Sequence, residues 1–241
     1  MSSPAFRRIA ERAARRYRRA GQVTFRFARG KLLGDPLYEH LLARGVPRQA
    51  CRILDLGCGR GLVAALLDEA RSAYGDAGWP RDWPAPPAAA RVLGIDLMAR
   101  DIARARAALG AAADFAPGDI ARTPFPPSDL VLLLDTLHYL PFEAQERVLE
   151  RAAAAVAPRG RLVLRVGDAA AGPGFLLGRW VDHLVAWSRG HRLPRLYCRP
   201  ADAWIRMLGG LGFAVEARPM SEGTPFANVL LIADPAPARA T

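Results

Sequence analysis

Four residues at alternate positions, Asp55, Gly57, Gly59 and Gly61, stand between an apolar run and a helical one in the stretch ILDLGCGRG. Glycines there let the chain turn sharply and let a ligand approach with no β-carbon in the way. The helix that follows offers unpaired N–H groups at its N-terminus to an anion such as a carboxylate. A dinucleotide fingerprint spaces its glycines G-x-G-x-x-G to seat a pyrophosphate. Here the third glycine comes one position early, and Asp55 ends the strand where it could receive an ammonium group. A zwitterionic amino-acid tail suits that pair of features better than a pyrophosphate. The competing reading is a Gly-rich strand–helix turn that holds nothing.

Those residues need a scaffold, and the chain supplies one from Cys51 onward. Apolar runs near 51–56, 91–96, 112–116, 129–134, 160–166, 212–218 and 226–233 read as strands. Helices are expected near 60–71, 99–109, 142–156, 175–188 and 200–210. Apolar strands alternating with helices mean a mostly parallel sheet covered on both faces. The last two strands lack an intervening helix and Glu222–Gly223 supplies a turn, so the final strand is expected to run antiparallel. Two segments break the rhythm. Residues 72–90, rich in Pro, Gly and Ala, read as a surface excursion. Residues 168–199 follow the fifth strand as an insertion holding Trp180, His183, Trp187, His191 and Tyr197, placed to cover the site.

Ahead of the sheet lies a basic arm. Residues 5–20 put Phe6, Ile9, Ala10, Ala13, Tyr17 and Ala20 on one helical stripe, with Arg7, Arg8, Arg12, Arg15, Arg18 and Arg19 opposite and Gly21 as a stop. Asp35 as N-cap and Pro36 at the first helical position predict a second helix to Arg44. The expected division is therefore an arm over 1–45 and an α/β domain over 46–241.

The motif ILDLGCGRG resembles the first motif of class I S-adenosylmethionine-dependent methyltransferases, and the resemblance continues in order over about residues 50–166. It implies a Rossmann-like doubly wound seven-stranded sheet, mostly parallel with an antiparallel last strand. It also implies S-adenosylmethionine as cofactor, held by Asp55, Gly57, Cys58, Gly59 and Gly61. In that family an acid ending the second strand holds the ribose hydroxyls. Asp96 in VLGIDL matches it, with Leu97 following, and a carboxylate accepts the two hydrogen bonds a diol offers. Asp96 also reads as a plain polar strand end, and it lies 41 residues from Asp55 against about twenty in the usual pattern. The excursion at 72–90 accounts for the excess. Asp119 in PGDI matches the acid near the adenine amine, with Ile120 beside the ring, although Gly-Asp is also an ordinary turn pair. DLVLLLDTLHYL matches the motif near the transferred methyl and places Asp135, Thr136 and His138 at the strand exit, with Asp135 counted among the cofactor-binding residues.

His138 is the first candidate base, because histidine titrates near neutral pH and an acceptor that must lose a proton needs one. Its competing reading is packing at a helix start. His183 and His191 are alternatives, and Tyr139, Tyr197 and His183 are candidates for lining an acceptor pocket. Enzymes that methylate amino groups of bases or glutamine typically show [DNS]-P-P-[YFW] at this strand exit; this chain has D-T-L-H there, and Pro126–Pro127 precedes the strand.

The net charge of +11 resides in the arm: residues 1–34 hold nine arginines, Lys31 and one acid, a net +9, whereas the remaining 207 residues carry only +2. Lys31 is the only lysine in the chain. An arginine bias of this kind also follows from GC-rich coding, so nucleic acid is not the expected partner. The arm is read as a helix packed on the domain with its Arg face solvated. It is read alternatively as a docking face for an acidic carrier protein or an anionic membrane surface. The stretch RFARGKLLGDPLYEHLL, with the late SEGTPFANVLLIA, resembles small methyltransferases of bacterial aryl-polyene-type pigment pathways. That resemblance implies O- or C-methylation of an aromatic, polyketide-like or carrier-bound acceptor in secondary metabolism. An RNA methyltransferase guided by the arm, and a non-catalytic protein retaining the fold, are the alternatives. No apolar run reaches the length of a membrane span, no secretory leader is apparent, and the three cysteines lack metal spacing. A cytoplasmic setting without a metal is expected.

Overall fold

Along β1 (Arg52–Leu56) the side chains alternate between two cores: Ile53 enters one, Leu54 and Leu56 the other. The same period of two sorts the other central strands. Leu130, Leu132 and Val163 face the first core, and Val131, Leu133, Leu162 and Leu164 face the second. This is a computed structural model describing residues 2–47, 50–75, 79–169, 196–220 and 227–237. Six further strands are β2 (Arg91–Asp96), β3 (Asp114–Pro117), β4 (Ser128–Leu134), β5 (Val156–Gly167), β6 (Phe213–Pro219) and β7 (Asn228–Pro235). They form one sheet in the order β3-β2-β1-β4-β5-β7-β6. The first five run parallel, and β7 is antiparallel to both β5 and β6. The expected doubly wound sheet with its antiparallel last strand is therefore what forms. The turn at Glu222–Gly223 and the helix expected at 175–188 lie outside the described residues.

Seven helices flank the described sheet: α1 (Pro4–Arg16), α2 (Gln22–Gly34), α3 (Pro36–Ala43), α4 (Leu62–Tyr74), α5 (Ala99–Leu109), α6 (Phe142–Ala155) and α7 (Ala201–Gly210). The helix expected over 5–20 is present as α1, capped by Ser3, and tightens into a 3₁₀ turn over Tyr17–Ala20 before Gly21 at φ +99° ends it. The helix α2 was not expected. Its sequence carries Val23, Thr24, Gly30 and Gly34, all poor helix formers. Packing overrides propensity here, because Thr24, Ala28 and Leu32 recur every fourth residue and are buried against α1. Asp35 caps α3 as its spacing implied, accepting from the Leu37 N–H at 3.0 Å.

Residues 1–45 thus form three helices, not two, and their apolar faces close the same core as α4, α5 and one face of the sheet. Arg12 and Arg16 pair with Glu69 and Asp68 on α4, and Arg29 with Glu11. Tyr17, fully buried, donates its hydroxyl to the carbonyl of Arg60 at 2.8 Å and so fastens the arm to the glycine-rich turn. The excursion before β2 stays at the N-terminal edge of the sheet. There Trp79 and Trp83 pack edge to face at 5.7 Å, and the missing β-carbon of Gly45 would lie 2.5 Å from Pro84. The opposite edge, where the candidate residues sit, is undisturbed by it. Among the described residues no helix is long and apolar enough to cross a membrane.

Removing the Tyr17 hydroxyl leaves a buried carbonyl short of a donor. Tyr17→Phe is expected to lower stability by about 1–3 kcal/mol, read as a shifted urea midpoint at unchanged m-value. A midpoint identical to wild type would show that the bond does not fasten the arm.

Candidate active site

Strand order reverses between β1 and β4, and in open sheets of this kind ligands bind outside the carboxyl ends of the strands at that switch point. The glycine-rich turn leaves β1 there. Gly57, Gly59 and Gly61 all adopt positive φ, at +78°, +54° and +73°, but their surroundings differ. A β-carbon on Gly57 would collide with the Thr136 side chain at the exit of β4. One on Gly61 would lie 2.6 Å from the Phe115 ring. Gly59 has nothing within 4 Å. Two of the glycines therefore close the switch point, and the third faces open space.

The acids gather around that space. Asp96 ends β2, and Asp55 stands one residue before the end of the neighbouring β1. Asp96 accepts the Gly59 N–H and the Met98 N–H, each at 2.8 Å, one on each carboxylate oxygen. Each oxygen keeps a lone pair for a further donor. Asp55 is buried, 3% exposed, and no cation among the described residues pairs with it. Burial, and then the charge of Asp96, push its carboxyl up to about 7. A buried acid in this state calls for an incoming cation. Leu97 projects beside Asp96 with 66% of its surface exposed, an uncovered apolar platform. Cys58 is buried behind the turn, its thiol pKa raised by burial, and its sulfur occupies the space a β-carbon on Gly94 would need. Asp119 follows β3, where it accepts the Ala121 N–H at 2.9 Å and closes its own turn. The Gly118 N–H donates to the Asp96 carbonyl, which brings this turn against the β2 exit; Ile120 is buried in the second core. These residues fit a ligand with an ammonium and carboxylate at one end, a diol in the middle and a flat ring at the other.

Asp135 stands at the β4 exit as its spacing implied, and its carboxylate already has partners. Grouped in the sequence with the cofactor residues, it gives its carboxylate to Arg165, with Nε at 2.6 Å from Oδ1. The Lys31 ammonium lies 3.6 Å from Oδ2. Arg165, 1% exposed, also reaches Asp35 at 2.6 Å, and Lys31 reaches Asp35 at 2.7 Å. Burial alone would raise both carboxyls, but Arg165 and then Lys31 hold them below the ordinary range. Asp135 is also the non-glycine residue at positive φ, +56°, among the described residues. Sequence reading missed this cluster. Its one signal was Arg165 itself, an arginine two residues from core-facing Val163 within the apolar run LVLRV of β5.

His138 sits on the 3₁₀ turn Leu137–Tyr139 directly after β4. Its ring lies 4.2 Å from that of Tyr139, and its carbonyl accepts the Tyr197 N–H at 2.9 Å. Gln145, fully buried, donates to the carbonyls of Leu137, Leu140 and Tyr197, and so binds the described end of the insertion to the turn that carries His138. Tyr139, Tyr197 and His138 are thus brought together. His183, His191, Trp180 and Trp187 lie outside the described residues.

A parallel sheet of this order with its glycine-rich turn and strand-end acids at the switch point defines a doubly wound nucleotide-type domain. A family model described as a methyltransferase domain matches residues 6–218, and the chain belongs to that family. Among curated relatives, the carboxy-S-adenosyl-L-methionine synthase of Chromohalobacter salexigens is 35% identical over 129 residues, 52% of this chain and 43% of that protein. The trans-aconitate 2-methyltransferase of Streptomyces avermitilis is 32% identical over 159 residues, 63% of this chain and 52% of that protein. The chain spans about half the length of these curated relatives. Among solved structures, an O-methyltransferase family protein from Burkholderia thailandensis matches with a TM-score of 0.61 at 20% identity, over 91% of this chain and 62% of that one. The magnesium protoporphyrin IX methyltransferase of Synechocystis PCC 6803 with bound SAH matches with a TM-score of 0.58 at 21% identity, over 92% and 94%. These likenesses show the fold.

Asp55 yields a test of sign. Folded, it holds its proton to about pH 7, whereas unfolded it releases it near the ordinary value of about 3.9. Between those two pH values unfolding releases a proton, so this group's contribution to stability falls as pH rises through the window. Asp55→Asn should therefore gain on wild type, in the ligand-free protein, between pH 4.5 and 8 in urea midpoint. Equal slopes for the two proteins would show that the acid is not held protonated.

Proposed function

We propose that this protein binds S-adenosylmethionine and transfers its methyl group to a small-molecule acceptor. The observation that carries the reading is the pair Asp55 and Asp96 at the ends of neighbouring parallel strands, flanking a Gly59 whose β-carbon position is open. Asp55 receives the ammonium of the amino-acid tail, and the N–H groups opening α4 receive its carboxylate. Asp96 takes the ribose hydroxyls on its remaining lone pairs, and Leu97 covers one face of the adenine, with Asp119 and Ile120 near its edge. When bound, the sulfonium supplies a methyl group already activated for in-line displacement.

The chain's own task is then to align the acceptor and, for a hydroxyl, to take its proton. His138 at the β4 exit is assigned that proton. Asp135 is unsuited to it, because Arg165 and Lys31 hold it ionised far below neutral pH. Support for a small acceptor comes from D-T-L-H at the β4 exit and from the trans-aconitate methyltransferase relative. The finer reading is O- or C-methylation of an aromatic or polyketide-like acceptor, free or carrier-bound, in secondary metabolism. The arm braces the fold through Arg12, Arg16 and Arg29, and the exposed Arg7, Arg15 and Arg19 are what an acidic carrier or anionic surface would meet.

Two measurements test this reading. Asp55→Ala and Asp96→Ala should each weaken S-adenosylmethionine binding by about tenfold or more in calorimetry, the worth of a hydrogen bond to a charged group. Gly59→Val should abolish binding while the protein stays folded. Wild-type affinity in all three would overturn the cofactor assignment. Cell extracts incubated with protein and cofactor should yield small molecules heavier by one methyl group; transfer that required added RNA would overturn the acceptor class. Separately, His138→Ala should lower turnover by about a hundredfold or more at unchanged cofactor affinity. Unchanged turnover would assign the ring to packing on Tyr139.

A further inference from the structure

Gly30 and Gly34, one turn apart on α2, have nothing among the described residues within 4 Å of where a β-carbon would stand, so no described neighbour needs them to be glycine. Glycines inside a helix weaken it, and here no packing among the described residues compensates. They floor a cleft of about 410 Å³ lined by Arg26, Phe27, Lys31, Asp35 and Asn228. That volume lies in the range of small-ligand sites.

Two contacts place this cleft relative to the methyl-transfer site. Phe27 lies under the guanidinium of Arg60, 4.1 Å from its ring centre, and Arg60 belongs to the glycine-rich turn. Lys31 reaches Asp135 at 3.6 Å, and Asp135 precedes Thr136, the side chain against which Gly57 closes. One helix thus touches the cofactor turn at Phe27 and the β4 exit at Lys31. The charges that line the cleft are Arg26, Lys31 and Asp35. Lys31 and the buried Arg165 behind it balance Asp35 and Asp135, and exposed Arg26 adds a positive charge.

Resting on the methyltransferase reading above, we infer that this cleft on α2 is the acceptor site and that it takes an acceptor bearing a carboxylate, met by Lys31 and Arg26. The carboxylate anchors the acceptor on α2 while the group to be methylated points across Asp135 and Thr136 to the switch point. The missing side chains at Gly30 and Gly34 leave room, among the described residues, for the body of the molecule.

Lys31 is the only lysine in the chain, so protein carrying lysine labelled with ¹³C at Cε gives one such resonance. Benzoate and 4-hydroxybenzoate should shift that resonance saturably, and benzyl alcohol should not. Gly30→Leu fills the cleft where nothing stands to be displaced. It should remove the shift, keep the S-adenosylmethionine affinity within twofold of wild type, and lower methyl transfer into extract acceptors at least tenfold. Lys31→Met should raise KM for the extract acceptor more than it lowers kcat. Equal shifts with benzoate and benzyl alcohol, or a Gly30→Leu protein with full turnover, would overturn the inference. Loss of cofactor binding in wild type with the benzoate shift intact would overturn the methyltransferase reading and leave the carboxylate site standing.

Discussion

A guanidinium in a protein interior must bring its counter-charges with it, and Arg165 draws them from both ends of the fold. It stands on β5, in line with core residues, and takes Asp135 from the β4 exit and Asp35 from the junction of α2 and α3. Removing either carboxylate would leave a buried charge uncompensated, a loss of about 3–5 kcal/mol in typical cases. The arm and the sheet are consequently held in one relation. The positive φ of Asp135 persists because this pairing over-determines it. Thr136 is thereby set against Gly57, and the turn that follows carries His138.

That arrangement separates two kinds of acid in one site. Asp55 and Asp96 stand near each other with no cation among the described residues between them, and burial makes the Asp55 carboxyl reluctant to ionise. Asp135 and Asp35, a short way along the same edge, are ionised and satisfied by fixed cations. The first pair is ready for a positively charged ligand, and the second has already been given its partners. An electropositive group arriving at the switch point is therefore drawn to the β1 side of it.

Much of this was legible in the sequence because it is local. A strand, a turn of alternate glycines and a helix lie within a few residues, and acids at strand ends follow from the same pattern; Asp55, Asp96 and Asp119 all stand where the pattern put them. The excursion at 72–90 did not mislead, since extra chain between α4 and β2 accumulates at the far edge of the sheet. What escaped was non-local or propensity-poor. Arg165 is 30 residues from Asp135 and 130 from Asp35, and no spacing announces such pairs. The helix α2, with its two glycines, forms through burial against α1, so its residues alone read as a connector. The three glycines of the turn look alike in one dimension; only their neighbours show that two are closed and one is open.

The described residues on either side of 170–195 are tied to one another and to the turn after β4. The Ala169 N–H reaches the Arg199 carbonyl at 3.4 Å, Asp168 accepts the Ala201 N–H at 3.1 Å, and Tyr197 is tied to His138. The position of Tyr197 beside His138 is therefore set by contacts within the described fold, from β5, the 3₁₀ turn after β4 and the start of α7.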